Sequence, residues 1–327
     1  MTAALATGAI SLTPQVSLAD ETGVSFWLPG TFGSLAAAPG QPGFQWATTY
    51  YHTTAKAGAG QTFQQGGRIE AGLNVRANLF LLSPTYVFAT PILGGGQLAV
   101  GVTSIVGPVD TRISGTLTGP RGRTVSGSRS DSLASFGDLY PMVSLKWNQG
   151  TSNFMTYMSG DIPVGSYDPV RISNIGIGHG AIDGGAGYTY FNPLSGYEFS
   201  TVAGLTYNFE NPDTKYQSGV DFHVDWAASK FLSKQLFVGL VGYGYDQIGC
   251  DSGSGDRLGC FKSRVVGIGP QIGYLFPIAG MQGYVNLKGY GEFDNKNRPD
   301  GFNIWLTFAV TPAAQAAPTT QAALSLK

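Results

Sequence analysis

Charge is unusually scarce in this 327-residue chain. Asp, Glu, Lys and Arg together make up only 12% of it, against about a quarter in ordinary soluble domains. The net charge is −1 and no basic block occurs, so the electrostatic footprint of a nucleic-acid binder is missing and no nucleic-acid partner is expected. No run of about 18 apolar residues exists, which excludes a transmembrane helix. Glycine, at 48 residues, interrupts nearly every candidate helical segment and argues against a helical bundle. Histidine occurs three times, at His52, His179 and His223. No Gly-x-Ser-x-Gly elbow is present to mark a hydrolase nucleophile. Gly94-Gly95-Gly96 and residues 239–244 are not phosphate loops, because no Lys-Ser/Thr follows them.

Cysteine is scarcer still, with two residues. Cys250 and Cys260 stand in one Gly/Ser/Asp-rich stretch. An even count at short separation suits a single disulfide in an oxidising compartment; two free thiols are the alternative. A metal site would need His or further Cys nearby. Positive charge is absent from the whole N-terminal region, the first Lys or Arg being Lys56. Residues 1–19 are nonetheless small and apolar and end in Ser17-Leu18-Ala19, like a signal-peptidase site. They are read as a signal peptide whose charged start lies upstream. Residues 312–327, rich in Ala, Pro, Gln and Thr, are expected to be a disordered tail.

Aromatic residues are plentiful, with 16 Tyr and 19 Phe, yet the mean hydropathy is only +0.03. Few charges, many aromatics and a neutral average fit strands with one face in lipid and the other in water. The period-two alternation is clearest over residues 219–231. Val220, Phe222, Val224, Trp226 and Ala228 form one face, and Asp221, His223 and Asp225 the other. A helix would scatter these residues around its circumference. Similar segments are expected near 43–53, 68–89, 97–118, 136–148, 151–163, 181–192, 197–208, 217–232, 235–247, 262–276, 282–294 and 301–311. The first and ninth do not declare their faces. The third is expected to slip phase at a bulge near Gly107-Pro108.

Short connections alternate with longer polar ones, the latter including 54–67, 119–135, 164–180 and 248–261. Short periplasmic turns with longer extracellular loops are the pattern of an outer-membrane barrel. The expected fold is therefore an all-β, antiparallel transmembrane barrel of about twelve strands spanning residues 43–311. Its place is the bacterial outer membrane, with membrane lipid as partner. Residues 20–42, which carry Phe26 and Trp27, lack alternation and are too apolar for water. Two readings stay open for them, a plug in the lumen and an anchor at the periplasmic interface.

Several of these pieces carry a family resemblance. They are Gly23-Val24-Ser25-Phe26-Trp27-Leu28-Pro29-Gly30, Leu82-Ser83-Pro84-Thr85-Tyr86, Gly137-Asp138-Leu139-Tyr140-Pro141, Leu145-Lys146-Trp147-Asn148 and Ala186-Gly187-Tyr188-Thr189-Tyr190. Over residues 20–311 the chain resembles the outer-membrane, transporter-like family of the meta-cleavage pathway of phenol degradation. These motifs are turns and strand ends rather than a catalytic signature. The resemblance implies a channel for aromatic or other hydrophobic small solutes. The tail departs from the terminal aromatic on which such barrels commonly end.

On the strand phases above, the lumen should carry Glu70, Arg76, Asp110, Arg112, Asp138, Lys146, Asp161, Asp183, Glu198, Asp221, His223, Asp225, Lys288 and Glu292. Mixed charges of this kind either filter a polar solute or fill a narrow lumen with ion pairs. His223 between Asp221 and Asp225 also suggests a general base, hence a barrel hydrolase, but no Ser can be paired with it from sequence. The same three residues share a face that could approach a metal, yet nothing marks a further ligand. Neither catalysis, nor a metal, nor a cofactor is expected. The leading expectation is passive diffusion of a small solute. Its rivals are a hydrolase acting on lipid or peptide, and a structural or adhesive barrel.

Overall fold

The computed structural model describes residues 25–62, 68–118, 124–256, 259–260 and 262–313. The expected leader at 1–19 and residues 314–327 of the expected tail lie outside them. Twelve strands follow in order: β1 (Gly43–Thr62), β2 (Arg68–Val87), β3 (Gln97–Thr118), β4 (Thr124–Gln149), β5 (Ser152–Asp161), β6 (Ala181–Asn192), β7 (Tyr197–Asn208), β8 (Asp221–Phe231), β9 (Leu236–Gln247), β10 (Arg264–Ile278), β11 (Met281–Lys296) and β12 (Asp300–Pro312). Each pairs antiparallel with its sequence neighbour, and β1 closes on β12 through a register running from Trp46↔Val310 to Lys56↔Asp300. Closure leaves no strand edge where the strands cross lipid, as a membrane-spanning sheet requires; among the described residues the far ends of β1, past Lys56, and of β4, before Leu139, lack a strand partner on one side.

The outer surface of this barrel is apolar and banded. Large hydrophobic side chains such as Ile182, Leu205, Leu240, Ile268, Ile272, Leu287 and Leu306 are exposed around it. Aromatic side chains ring both ends: Phe44, Trp46, Tyr86, Phe154, Tyr197 and Phe308 at the end with short turns, and Tyr207, Phe209, Phe222, Phe293 and Phe302 at the other. An apolar belt between two aromatic girdles is the surface of an outer-membrane barrel, and this is where the chain resides.

β8 shows the expected alternation. Asp221, His223 and Asp225 are buried, whereas Phe222 is 39% exposed on the outside. Cysteine placed at 222 or 224 should resist a membrane-impermeant thiol reagent in intact membranes. Faster labelling at 222 than at 223 would mean the strand is one residue out of register.

Two expectations about the first four strands need correction. Residues 54–62 and 124–135, read as loop, are strand, so β1 to β4 run to 20, 20, 22 and 26 residues. Only about 9–11 residues are needed to cross the membrane, so the outer halves of these hairpins stand beyond it. There the outer face meets water, and the polar-in, apolar-out rule no longer applies. The bulge is also on the other partner. β3 keeps its inward phase past Gly107, whereas β4 spends three residues, from Leu139 to Phe136, against two on β3, from Ser104 to Val106. The extra residue brings Gly137 and Asp138 to the interior in succession. β4 thereby switches its inward face from odd to even positions.

Cys250 and Cys260 are joined in the loop between β9 and β10. That loop is further tied to the loop before β8 by paired backbone bonds between Gln217 and Ser252, of 2.9 and 3.0 Å. Mass spectrometry of the unreduced protein should find one intramolecular bridge. Two alkylatable thiols in freshly extracted protein would contradict it.

Candidate functional site: a divided lumen

Residues 25–42 run inside the barrel, and the polar wall opposite explains why. A segment with no regular structure must find partners for its backbone groups, and side chains of six strands, buried or half-buried, supply them. Gly30 and Phe32 donate their amides to the two oxygens of Asp225 on β8, at 2.9 and 3.0 Å. Leu35 N and Ser34 Oγ donate to Glu198 on β7, at 3.0 and 2.8 Å. Ala37 N donates to Thr189 Oγ1 on β6 at 3.0 Å. Lys288 Nζ on β11 donates to Gly30 O at 2.6 Å, and Lys146 Nζ on β4 to Ala36 O at 2.8 Å. Gln97, which opens β3, exchanges two bonds with Gly40. Gly30 sits at φ +91° with the Tyr290 ring 3.1 Å from where a Cβ would stand, so the turn that delivers both amides to Asp225 needs glycine.

The charged residues expected in the lumen thus divide by task. Asp225, Glu198, Lys288 and Lys146 hold the inserted segment. Asp138, at the β4 bulge, accepts the amides of Gly165 and Ile177, both at 2.7 Å, and folds the β5–β6 loop into the barrel mouth. Glu292 accepts from Tyr243 Oη at 2.6 Å. Asp221 accepts from Asn208 Nδ2 at 2.8 Å. Asp161 is buried with neither carboxylate oxygen hydrogen-bonded within the described chain. Arg76, Asp110 and Arg112 correct the expectation: all three point outward, because they sit on the overhanging halves of β2 and β3. The side chain of Glu70 lies outside those described.

His223 is fully buried, but Asp221 and Asp225 are not its partners. Its Nε2 lies 2.8 Å from Asp183 Oδ2 on β6 and 3.5 Å from Tyr157 Oη on β5. The contact crosses β7 at Gly204, where a Cβ would stand 2.3 Å from Tyr157 Oη and 2.7 Å from the imidazole. Trp27 stacks flat on the imidazole, with ring centroids 3.8 Å apart. Among the described residues no serine hydroxyl bonds to His223, and no cluster of three His, Cys, Asp or Glu side chains could hold a metal.

Sequence reasoning missed the opposite wall. The inward faces of β2 and β3 carry Leu73, Val75, Ala77, Leu79, Leu81, Ile105 and Val109. These strands are apolar on both faces over much of their length, so alternation gave no signal. Between this wall and the inserted segment lie two cavities. One, of about 290 Å³, occupies the periplasmic half beside Leu81, Met142 and Trp305. The other, of about 260 Å³, occupies the extracellular half beside Leu73, Val109 and Ile175. Phe26, Leu28, Ile105 and Tyr140 line both. The Phe26 and Tyr140 rings, 5.7 Å apart, stand at the division.

The family model described as "Putative MetA-pathway of phenol degradation" matches residues 58–308. The chain belongs to this family. Among solved structures, this family member is similar to the COG4313 outer membrane channel from Pseudomonas putida F1. The TM-score is 0.62 at 14% identity, over 87% of this chain and 99% of that one. The transport unit of the autotransporter AIDA-I from Escherichia coli aligns with a TM-score of 0.38 at 8% identity, over 84% of this chain and 91% of that one. No curated protein matches the chain in sequence.

Proposed function

We propose that the protein is a passive channel for small hydrophobic solutes, monocyclic aromatics foremost, and not an enzyme. The observation that carries this reading is the pair of cavities stacked along the apolar wall. An apolar cavity of about 150 Å³ is large enough for benzene, so either cavity here, at about 290 and 260 Å³, accommodates one aromatic ring with its substituents. The polar wall is occupied in holding the inserted segment, which leaves the apolar side as the path. A solute moves between cavities by displacing Phe26 and Leu28 from Ile105 and Tyr140. The family description and the channel-like neighbour point the same way. No energy source or cofactor is involved.

Proteoliposomes should take up a monocyclic aromatic hydrocarbon faster than protein-free vesicles, while a sugar of similar size gains little. Ile105→Trp, which fills the shared constriction, should remove most of the aromatic gain. Equal acceleration of sugar and hydrocarbon, or full activity of the Ile105→Trp protein, would contradict the apolar path.

A further inference from the structure

The overhanging hairpins carry an outward-facing basic patch that the channel does not use. Lys56 on β1, Arg76 on β2 and Arg112 on β3 are all exposed. The sheet register sets them in two adjacent rows, Lys56–Asn74–Arg112–Ser130 and Thr54–Arg76–Asp110–Ser132. The one acid described among them, Asp110, accepts a 2.6 Å hydrogen bond from Ser132 Oγ. Asp131 borders the same depression as the patch but is paired with Arg171 at 2.7 Å, and the other ion pairs found among the described residues, His223–Asp183 and Arg264–Asp294, lie elsewhere. Neither guanidinium of the patch has a hydrogen-bond partner within the described chain. Asp300 on β12 stands opposite Lys56 in the sheet register, so three cations and two acids leave one net positive charge, with both arginines on the side of the patch away from Asp300. The depression that the patch borders is open, with a volume of about 720 Å³.

The height of the patch identifies its ligand. On β2 the outward positions run from Tyr86 in the periplasmic girdle through Leu82 and Phe80 to Asn78, Arg76 and Asn74. Ten residues separate Tyr86 from Arg76. At about 3.4 Å per residue and a tilt near 45°, they climb roughly 24 Å. The apolar band of such barrels is about 25 Å tall, so Arg76 stands at its outer edge. Phe302, an apolar residue of the outer girdle, borders the same depression. Cations at that level meet the headgroups of the outer leaflet, and two arginines with a lysine are suited to phosphate, which guanidinium can grip with two hydrogen bonds.

We infer that Lys56, Arg76 and Arg112 form a binding site for the phosphates of an outer-leaflet phosphoglycolipid of the lipid A type, with its acyl chains lying on the apolar belt below. The site is independent of the solute path, because it lies on the opposite face of the same strands.

Native mass spectrometry and titration of the full chain in detergent provide the test, with bisphosphorylated lipid A as probe. The wild-type protein should bind it at least tenfold more tightly than its dephosphorylated form. Arg76→Gln/Arg112→Gln should lose most of that preference, and Lys56→Gln part of it. Arg264→Gln, an exposed arginine on β10, should keep it. All three positions are outside the membrane band, and heat-modifiable migration on gels verifies folding of each variant. Equal affinity for both lipid forms would overturn the inference, as would a phosphate preference that survives in the double variant. Displacement of the lipid by millimolar inorganic phosphate would also overturn it, by showing that free phosphate is the ligand.

Discussion

Removing residues 25–40 should raise single-channel conductance in planar bilayers severalfold while leaving the barrel folded. No strand is lost, and the β1–β12 seam keeps its register from Trp46↔Val310 to Lys56↔Asp300. What disappears is the peptide that crosses the lumen, together with Phe26 and Trp27. Asp225, Glu198, Lys288 and Lys146 lose their backbone partners. A buried charge left unpaired would cost several kcal/mol, but here the vacated space admits water to solvate all four. A milder variant supports the same reading. Asp225→Ala removes the acceptor of two amides, and hydrogen bonds to charged groups contribute about 1.5–3 kcal/mol each. Its channels should flicker between the wild-type level and the level of the deletion. Wild-type conductance in a deletion protein that still migrates as a folded barrel would show that the segment does not obstruct the lumen.

Leu240→Arg should destabilise the barrel by about 2–4 kcal/mol, the cost of a guanidinium on the lipid face near the midplane. Leu240 lies near the middle of β9 and is 51% exposed on the outer surface. Phe302→Arg, at the outer girdle, should cost only about 0–1 kcal/mol, because lipid-face penalties fall towards the interfaces. Equilibrium unfolding of both variants in liposomes, with urea as denaturant, measures the difference. Equal penalties would mean that the belt is centred elsewhere.

Much of this architecture is legible in the residues. In β5 to β9, none longer than 12 residues, one strand crosses one membrane. Polar residues there have only one sheltered face to occupy, so Asp183, Glu198, Asp221, His223 and Asp225 could be placed inward by parity. β1 to β4 defeat the same logic, because a strand that outruns the membrane changes environment along its length. Arg76 and Leu82 share the outer face of β2, one in headgroups and the other in lipid. The partners of the inward charges were beyond sequence reasoning for another reason. His223 pairs with Asp183, 40 residues away, and Asp225 with amides more than 190 residues away. No local pattern encodes such separations. The apolar wall stayed hidden because Leu79 and Leu81 look the same to a periodicity as the lipid-facing Phe80 between them.

The bonds from residues 25–42 to Asp225, Glu198, Lys288 and Lys146 have a bearing on biogenesis. The segment precedes β1, yet its partners stand on β4, β7, β8 and β11, so its binding surface does not exist until nearly the whole sheet has formed. A slip of β8 by one residue would turn Asp225 towards lipid and leave the Gly30 and Phe32 amides without acceptors. Docking of the N-terminal peptide therefore depends on register: a barrel whose strands met out of step would lack the acceptors that hold its own beginning.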